Sequence, residues 1–367
     1  MKLLLVIDEM ESISAGGTER QILQIATLAR NAEIDVEFAV FRGTEWLRRE
    51  QGGFVVHQLG FDRLTSLLNA RKVGAFMKLL KRFDIAQSFF VEANIVTPVL
   101  AWVAGVPVRI GSRRNLNHWM TRKLRLLQSF SNLFVTRLSA NCEAVRIKVE
   151  QVESFSRGKI DVIYNGLDTE RFRPDSAART QQRAALGIAH NEIVIGNTST
   201  LRAPKGVDDF LRAAKPVVEA VPAKILLVGD GPLRGELEQL ATELGIAEHT
   251  LFAGAQTDVR PWLAAMDIAV MSSHAEGFSN SILEYMACGL PCVVSAVGGN
   301  AEAVRDCGVV FPPGDVPALS AALLSLARSQ ELRERLGACA RDRALLFSLP
   351  ATQKVTLDYY RKLHADR

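Results

Sequence analysis

The chain has 367 residues, 48% apolar and 23% charged, with 26 Gly, 13 Pro and a formal net charge of +4. That length predicts two domains of ordinary size, and the composition excludes a disordered or collagen-like protein. Five cysteines (Cys142, Cys288, Cys292, Cys307 and Cys339) make an odd number with no CxxC pair, which argues against a disulfide framework or a zinc ribbon and suits a reducing cytosol.

The N-terminus, MKLLLVIDEME, turns acidic at Asp8, too early for the apolar region of a signal peptide. From there short apolar runs alternate with segments of helical period. LLLVI (3–7), VEFAV (36–40), DIAQS (84–88), VRIG (108–111) and DVIY (161–164) read as strands. Between them, Ile22, Ile25, Ala26 and Ala29 share one helix face, and Leu67, Leu68, Val73 and Leu80 mark another helix over 64–80. The most apolar stretch, 95–108, is too short to cross a bilayer of about 30 Å and is punctuated by Pro98, Gly105 and Pro107.

Over 109–159, eleven Lys/Arg stand against three acidic residues, a net of +8. Such a block suits an anionic partner (phospholipid, a lipid-linked phosphate or nucleic acid), or else a solvated face. Within it, 119–138 reads as an interfacial helix, with Arg122, Lys123 and Arg125 beside Leu124, Leu126, Leu127 and Phe130.

A second strand series follows: EIVIGN (192–197), KILLVG (224–229), TLFAG (250–254), DIAVMS (267–272) and PCVVS (291–295). Helical patterns near 206–219, 233–244 and 280–288 separate them. Strand–helix alternation at this spacing predicts parallel sheets with right-handed crossovers. The polar stretch 168–183 reads as a linker, dividing a first domain, 1–167, from a second, 168–349. Residues 350–367 are expected to form a helix returning to the first domain. The fold class is thus α/β: two Rossmann-like parallel-sheet domains facing a central cleft at the carboxyl ends of their strands.

Three strand-to-helix junctions carry candidate chemistry. Gly16-Gly17-Thr18-Glu19 follows the first strand, where two glycines admit a close ligand or simply make a turn. In 198–206, Arg202 and Lys205 beside Gly206 and a helix start suit a diphosphate, although exposed turn charges give the same pattern. The order GxxxxGK[ST] is absent, so this is not a Walker loop. The third junction is HAEGFSNSILE (274–284), where Ser279, Asn280 and Ser281 are N-cap types. Glu276 falls in the loop and Glu284 in the helix, so the two carboxylates reach different parts of a ligand over the helix start. Glu284 is equally a normal partner of the helix dipole.

The segment EGFSNSILEYMACGLPCVVS resembles the E-x7-E signature of the family-four retaining glycosyltransferases, which have the GT-B fold. VIYNGLDTERFRP (162–174), the Lys205-Gly206 turn, LLVGDGPLR (226–234) and DVRPWLAAMDIAVMSS (258–273) agree with it. In the first half GGTE (16–19), AGVPVRIGSRR (104–114) and ANCEAV (140–145) do so. The resemblance implies a hexosyltransferase that moves a sugar from a nucleotide diphosphate sugar, with retention, to a glycan or lipid-linked acceptor in cell-surface polysaccharide, lipopolysaccharide or glycolipid synthesis. It places Glu276 at the reacting centre on the donor sugar and Glu284 on the ribose hydroxyls. The backbone amides of Phe278, Ser279 and Asn280 then hold donor hydroxyls, and Lys205 meets the diphosphate. Gly16 and Gly17 face donor and acceptor, and Gln256 lies beside the base.

No cofactor and no metal are expected, since no DxD motif occupies a suitable loop. Nucleic acid is not expected as a partner. The expected location is cytoplasmic, peripheral on the cytoplasmic face of an anionic membrane. Three departures stand out. Thr200 occupies the place of a usual arginine, with Arg202 offering the missing charge. Arg113 replaces a histidine after VRIGS, and Ser88-Phe89-Phe90 replaces an HxH-like element. Arg113 and His118 are the acceptor-side candidates. Thr200 keeps open an inactive sugar-nucleotide-binding subunit, and the fold leaves room for a GT-B phosphorylase or epimerase.

Overall fold

Each strand series builds its own parallel sheet in the computed structural model, which describes residues 1–10, 17–43, 53–62, 69–116 and 120–367. The chain divides into two units, Met1–Gly166 with Thr352–Arg367, and Leu167–Ala351. The first unit runs β1 (Lys2–Ile7), α1 (Gly17–Asn31), β2 (Asp35–Val40), β3 (Val55–Gln58), α2 (Ala70–Leu80), β4 (Ile85–Ser88), α3 (Val91–Ala104), β5 (Val108–Arg113), α4 (Arg122–Ser131), β6 (Arg137–Ala140), α5 (Glu143–Val152) and β7 (Ile160–Val162). The second runs α6 (Ser176–Ala185), β8 (Ile193–Thr198), α7 (Val207–Ala220), β9 (Ala223–Val228), α8 (Arg234–Glu243), β10 (Thr250–Gly254), α9 (Arg260–Ala265), β11 (Ile268–Met271), α10 (Asn280–Ala287), β12 (Cys292–Ser295), α11 (Asn300–Val304), β13 (Gly308–Phe311), α12 (Val316–Arg328) and α13 (Gln330–Ala344). The final helix, α14 (Leu349–Ala365), has most of its length in the first unit.

The central strands are apolar throughout because both faces of a parallel sheet are covered. Leu3, Leu5 and Ile7 pack with Ile22, Ala26 and Ala29 of α1 and with Tyr360 of α14. The alternate residues, Leu4 and Val6, pack with Phe76 and Leu80 of α2 and with Ala93 and Val96 of α3. In the second unit Ile195, Ile225, Leu227 and Val270 bury against Phe210, Leu211 and Ala214 of α7 and Leu319 and Leu323 of α12. No described helix is long and apolar enough to cross a membrane.

Strand order is β3-β2-β1-β4-β5-β6-β7 in the first sheet and β10-β9-β8-β11-β12-β13 in the second. The winding direction reverses between β1 and β4, and again between β8 and β11. At such a reversal the two loops leaving the carboxyl ends diverge to opposite faces and open a crevice, which is where parallel α/β sheets bind ligands.

Four sequence expectations need correction. The stretch 168–183 is not a free linker: α6 is capped by Asp175, and its Arg179 and Arg183 pair with Asp267 at 2.6 and 3.0 Å, which fixes it to the second unit. The helix expected over 119–138 is shorter, because Thr121 caps α4 and residues from Arg137 onward pair between β5 and β7. The strands β3, β6 and β13 were not legible as apolar runs, being short pieces (VVHQ, RLSA and GVVF) recruited by their neighbours. Cysteine spacing also misled: Cys307 and Cys339 form a disulfide across 32 residues, because α13 folds back beside the start of β13.

At the first reversal, Asp8 just past β1 is buried and accepts the backbone N–H groups of Glu92 and Ala93 at 3.0 and 2.6 Å. It thereby supplies the N-terminal cap of α3 from a different strand. Burial outweighs these two bonds and raises its pKa from 3.8 to about 7. Between those values the folded chain binds more protons at this site than the unfolded chain, so stability falls as pH rises through the window. Wild type should therefore lose about 2 kcal/mol between pH 5 and pH 8 relative to Asp8→Asn, read as a divergence of their melting temperatures. Parallel pH profiles for the two proteins would refute the assignment.

Candidate functional site

The reversal between β8 and β11 positions most of the candidate residues of the second unit. After β8 the chain makes a single 3-10 turn, Ala203–Lys205, ending at Gly206, where φ is +57°. A Cβ there would lie 2.3 Å from the carbonyl oxygen of Ser272, so only glycine lets this loop press against the loop after β11. Two hydrogen bonds seal the contact: His274 N–H to Pro204 O at 2.9 Å and Ser272 Oγ to Lys205 O at 3.2 Å.

This contact brings together the two residues expected to carry chemistry. Lys205 Nζ donates to Glu276 Oε1 at 2.5 Å, and Ser273 Oγ donates to the same oxygen at 2.9 Å. Both charged side chains are mostly buried, at 21% and 13% exposure. From the other side Gly298, with φ +52°, supports the loop; a Cβ there would meet Glu276 O at 2.1 Å. Gly299 N–H also donates to Gly277 O at 2.6 Å. Glu276 is thus held between the loops that follow β8 and β12.

The loop then enters α10 through Ser279, whose side chain makes no capping hydrogen bond. Asn280 and Ser281 open that helix, and Ser281 Oγ donates to Thr198 O at 2.9 Å. Glu284, one turn in, is 5% exposed. Phe278 is buried with its ring 5.4 Å from that of Phe347, so its side chain packs into the unit. Gln256, just after β10, donates to Ala253 O at 2.7 Å. Arg202 is exposed, and its Nε donates to Thr200 Oγ1 at 3.2 Å.

Several residues here were missed in the sequence. Tyr285, fully buried, accepts from Thr198 N at 2.6 Å and from Thr198 Oγ1 at 2.9 Å, tying α10 to the end of β8. Asn197 Nδ2 donates to Val270 O at 2.8 Å and Ser295 Oγ to Ser273 O at 2.6 Å. Their signal was a small polar residue closing each apolar run: NTS, MSS and VVS. Beside the site, Asp208, Asp209 and His274 bring one potential metal-ligand atom each within 4.8 Å of one another. His274 Nε2 and Asp209 Oδ2 lie 3.3 Å apart, and that buried carboxylate oxygen has no hydrogen-bond partner among the described residues.

In the first unit Gly17 is the first residue of α1, whereas Gly16 and His118 lie outside the described residues. Arg113, expected on the acceptor side, is instead turned into the unit. It is 2% exposed, and its Nε donates to both Glu153 carboxylate oxygens at 3.0 Å while Nη2 reaches Glu153 and Asn132 at 2.9 Å. Gln128 and Asn132 donate to the same carboxylate. Arg113 therefore locks β5 to α4 and to the end of α5, in a pair whose geometry offsets the cost of burying two charges.

Comparison with known proteins bears on the family and the fold. A family model described as Glycosyltransferase Family 4 matches residues 15–171, and one described as Glycosyl transferases group 1 matches residues 192–329. EpsF of Bacillus subtilis, named as a glycosyltransferase, is 28% identical over 311 residues, 79% of this chain and 78% of its own. A UDP-Gal:alpha-D-GlcNAc-diphosphoundecaprenol alpha-1,3-galactosyltransferase of Escherichia coli is 26% identical over 308 residues, 79% of each chain. The crystal structure of Anabaena HepE in complex with UDP matches with a TM-score of 0.89 at 22% identity, covering 99% of this chain and 100% of that one. At that identity the likeness establishes the fold.

Proposed function

The chain belongs to the family-four glycosyltransferases, and from that premise we propose that it moves a hexosyl group from a nucleoside diphosphate sugar to a glycan or lipid-linked acceptor, with retention of configuration. The observation that carries this reading is the Lys205–Glu276 pair at the carboxyl edge of the second sheet. The leaving group is a nucleoside diphosphate, whose growing charge needs a cation and oriented amides already in place. Lys205 supplies the cation and the start of α10 the dipole. With its ammonium drawn to the diphosphate, Glu276 keeps the Ser273 bond and turns a free oxygen to a sugar hydroxyl. Glu284, buried a turn inside α10, is the carboxylate for the ribose. The charge is met by protein groups, so transfer should persist in EDTA. The lipid-linked acceptor is supported by the substrate in the name of the Escherichia coli relative, and a uridine donor by the UDP bound to HepE.

Two variants test the division of labour. A hydrogen bond to a charged group contributes roughly 1.5–3 kcal/mol, so Glu284→Gln should weaken UDP binding about ten- to a hundredfold. Glu276→Gln, which removes the carboxylate that competes for Lys205, should leave UDP affinity unchanged or higher and severely reduce acceptor-dependent UDP release, because its contact with the sugar matures in the transition state. The reverse pattern in calorimetry and single-turnover assays would invert the assignment. Full turnover in both variants would remove the reading altogether.

The acceptor side is proposed to work on an anionic membrane surface. Helix α4 exposes Leu126, Leu127 and Phe130 beside Arg122 and Lys123, and α3 adds exposed Trp102 and Val103. The rings of Trp102 and Phe130 both pack on Phe134, at 5.1 and 5.4 Å, making one aromatic patch flanked by cations. An amphipathic helix of this kind lies in the headgroup plane, each basic residue adding about 1 kcal/mol on an anionic leaflet. Sedimentation with phosphatidylglycerol vesicles should show binding that salt weakens and that neutral vesicles lack. Equal binding to both vesicle types would contradict the proposal.

A further inference from the structure

Adjacent arginines at the end of β5 meet opposite fates. Arg113 spends Nε and Nη2 on a buried carboxylate and amide, leaving only Nη1 without a partner among the described residues. Arg114, the next residue, makes one side-chain hydrogen bond among the described residues, from Nη2 to Asn165 Oδ1 at 2.5 Å, out of the five donors a guanidinium carries. Its Nε is sealed from solvent without a partner. No described carboxylate pairs with it, and burial lowers its pKa to about 10, with Glu19 only partly opposing that shift. Beside it Asn141 uses its amide nitrogen on the carbonyl of Arg114, at 3.0 Å, and leaves a buried Oδ1 unpaired.

The surroundings are built for rigidity. Gln21 of α1 bonds both ways with the backbone of Gly166, at 2.9 and 3.1 Å, fixing α1 to the segment that carries Asn165. Tyr360 of α14 donates to Gln87 at the end of β4. The carboxyl edge of the first sheet thus holds a half-buried guanidinium with a sealed, unpaired Nε and an unpaired acceptor, with α1 starting at Gly17 and α5 at Glu143. A sealed guanidinium N–H without a partner costs stability, and a guanidinium matches the paired oxygens of a phosphoryl group.

We propose that Arg114 is the anion-binding residue of the first unit, and that the acceptor carries a phosphate ester seated on its guanidinium, with an acceptor hydroxyl on Asn141 Oδ1. The identification as acceptor rests on the glycosyltransferase reading; the anion site itself does not. A lipid diphosphate and a small phosphomonoester share this chemistry.

Calorimetry on the full chain separates them, using farnesyl diphosphate and glycerol 3-phosphate as probes, with farnesol and glycerol as controls. Wild type should bind at least one phosphorylated probe and neither alcohol, and the probe that binds names the source. Arg114→Gln should weaken that binding at least tenfold, hold UDP affinity within twofold, and melt no lower than wild type. Arg114→Lys, which keeps the charge with fewer donors, should lose three- to tenfold and carries the test if the glutamine variant does not fold. Unchanged probe binding in the variants, or none in wild type, overturns the proposal. So does a lowered melting temperature with binding intact, which marks a structural role. A parallel tenfold loss of UDP affinity also overturns it, by moving Arg114 to the donor diphosphate. If the chain binds a phosphorylated probe through Arg114 but never binds UDP, this site stands and the transferase reading falls.

Discussion

In the second sheet everything that bears on chemistry depends on the reversal of strand order at β8 and β11. A parallel sheet must send its loops out at one edge, and only at a reversal do neighbouring loops part to opposite faces. Here they part and then touch again where Gly206 leaves room for the Ser272 carbonyl, while Gly298 admits the loop after β12 from the other side. The outcome is a lysine and a glutamate, 71 residues apart in sequence, held 2.5 Å apart at the mouth of the crevice.

That ion pair is a resting arrangement with a physical purpose. Two mostly buried charges hold each other where either alone would be costly. On the proposed function, a diphosphate, carrying more negative charge than a carboxylate, would compete for the ammonium and free Glu276. Ser273 and the loop after β12 keep the carboxylate in place during the exchange. Preorganisation of this kind lowers the cost of assembling the site in the transition state.

The sequence disclosed this plan unevenly. Both sheets were legible because their central strands are continuous apolar runs, and the third junction was legible because charged and capping residues crowd one strand end. Arg113 misled because an arginine at a strand end looks the same whether it meets a ligand or a distant carboxylate; Glu153 lies 40 residues on, and only folding brings it close. The same blindness hid Arg114, whose meaning lies in what it fails to pair with. Short strands such as RLSA carry no apolar period of their own and exist through their neighbours. The disulfide between Cys307 and Cys339 is likewise a product of packing that spacing could not announce.

The claim at the centre is that Lys205 exchanges Glu276 for the diphosphate of the donor. Isothermal titration of UDP and of uridine into wild type and Lys205→Met examines it directly. A lost charged hydrogen bond of roughly 1.5–3 kcal/mol predicts UDP affinity lower by about ten- to a hundredfold in the variant, with uridine binding unchanged. Equal UDP affinity in the two proteins would contradict the account and leave the Lys205–Glu276 pair a matter of folding alone.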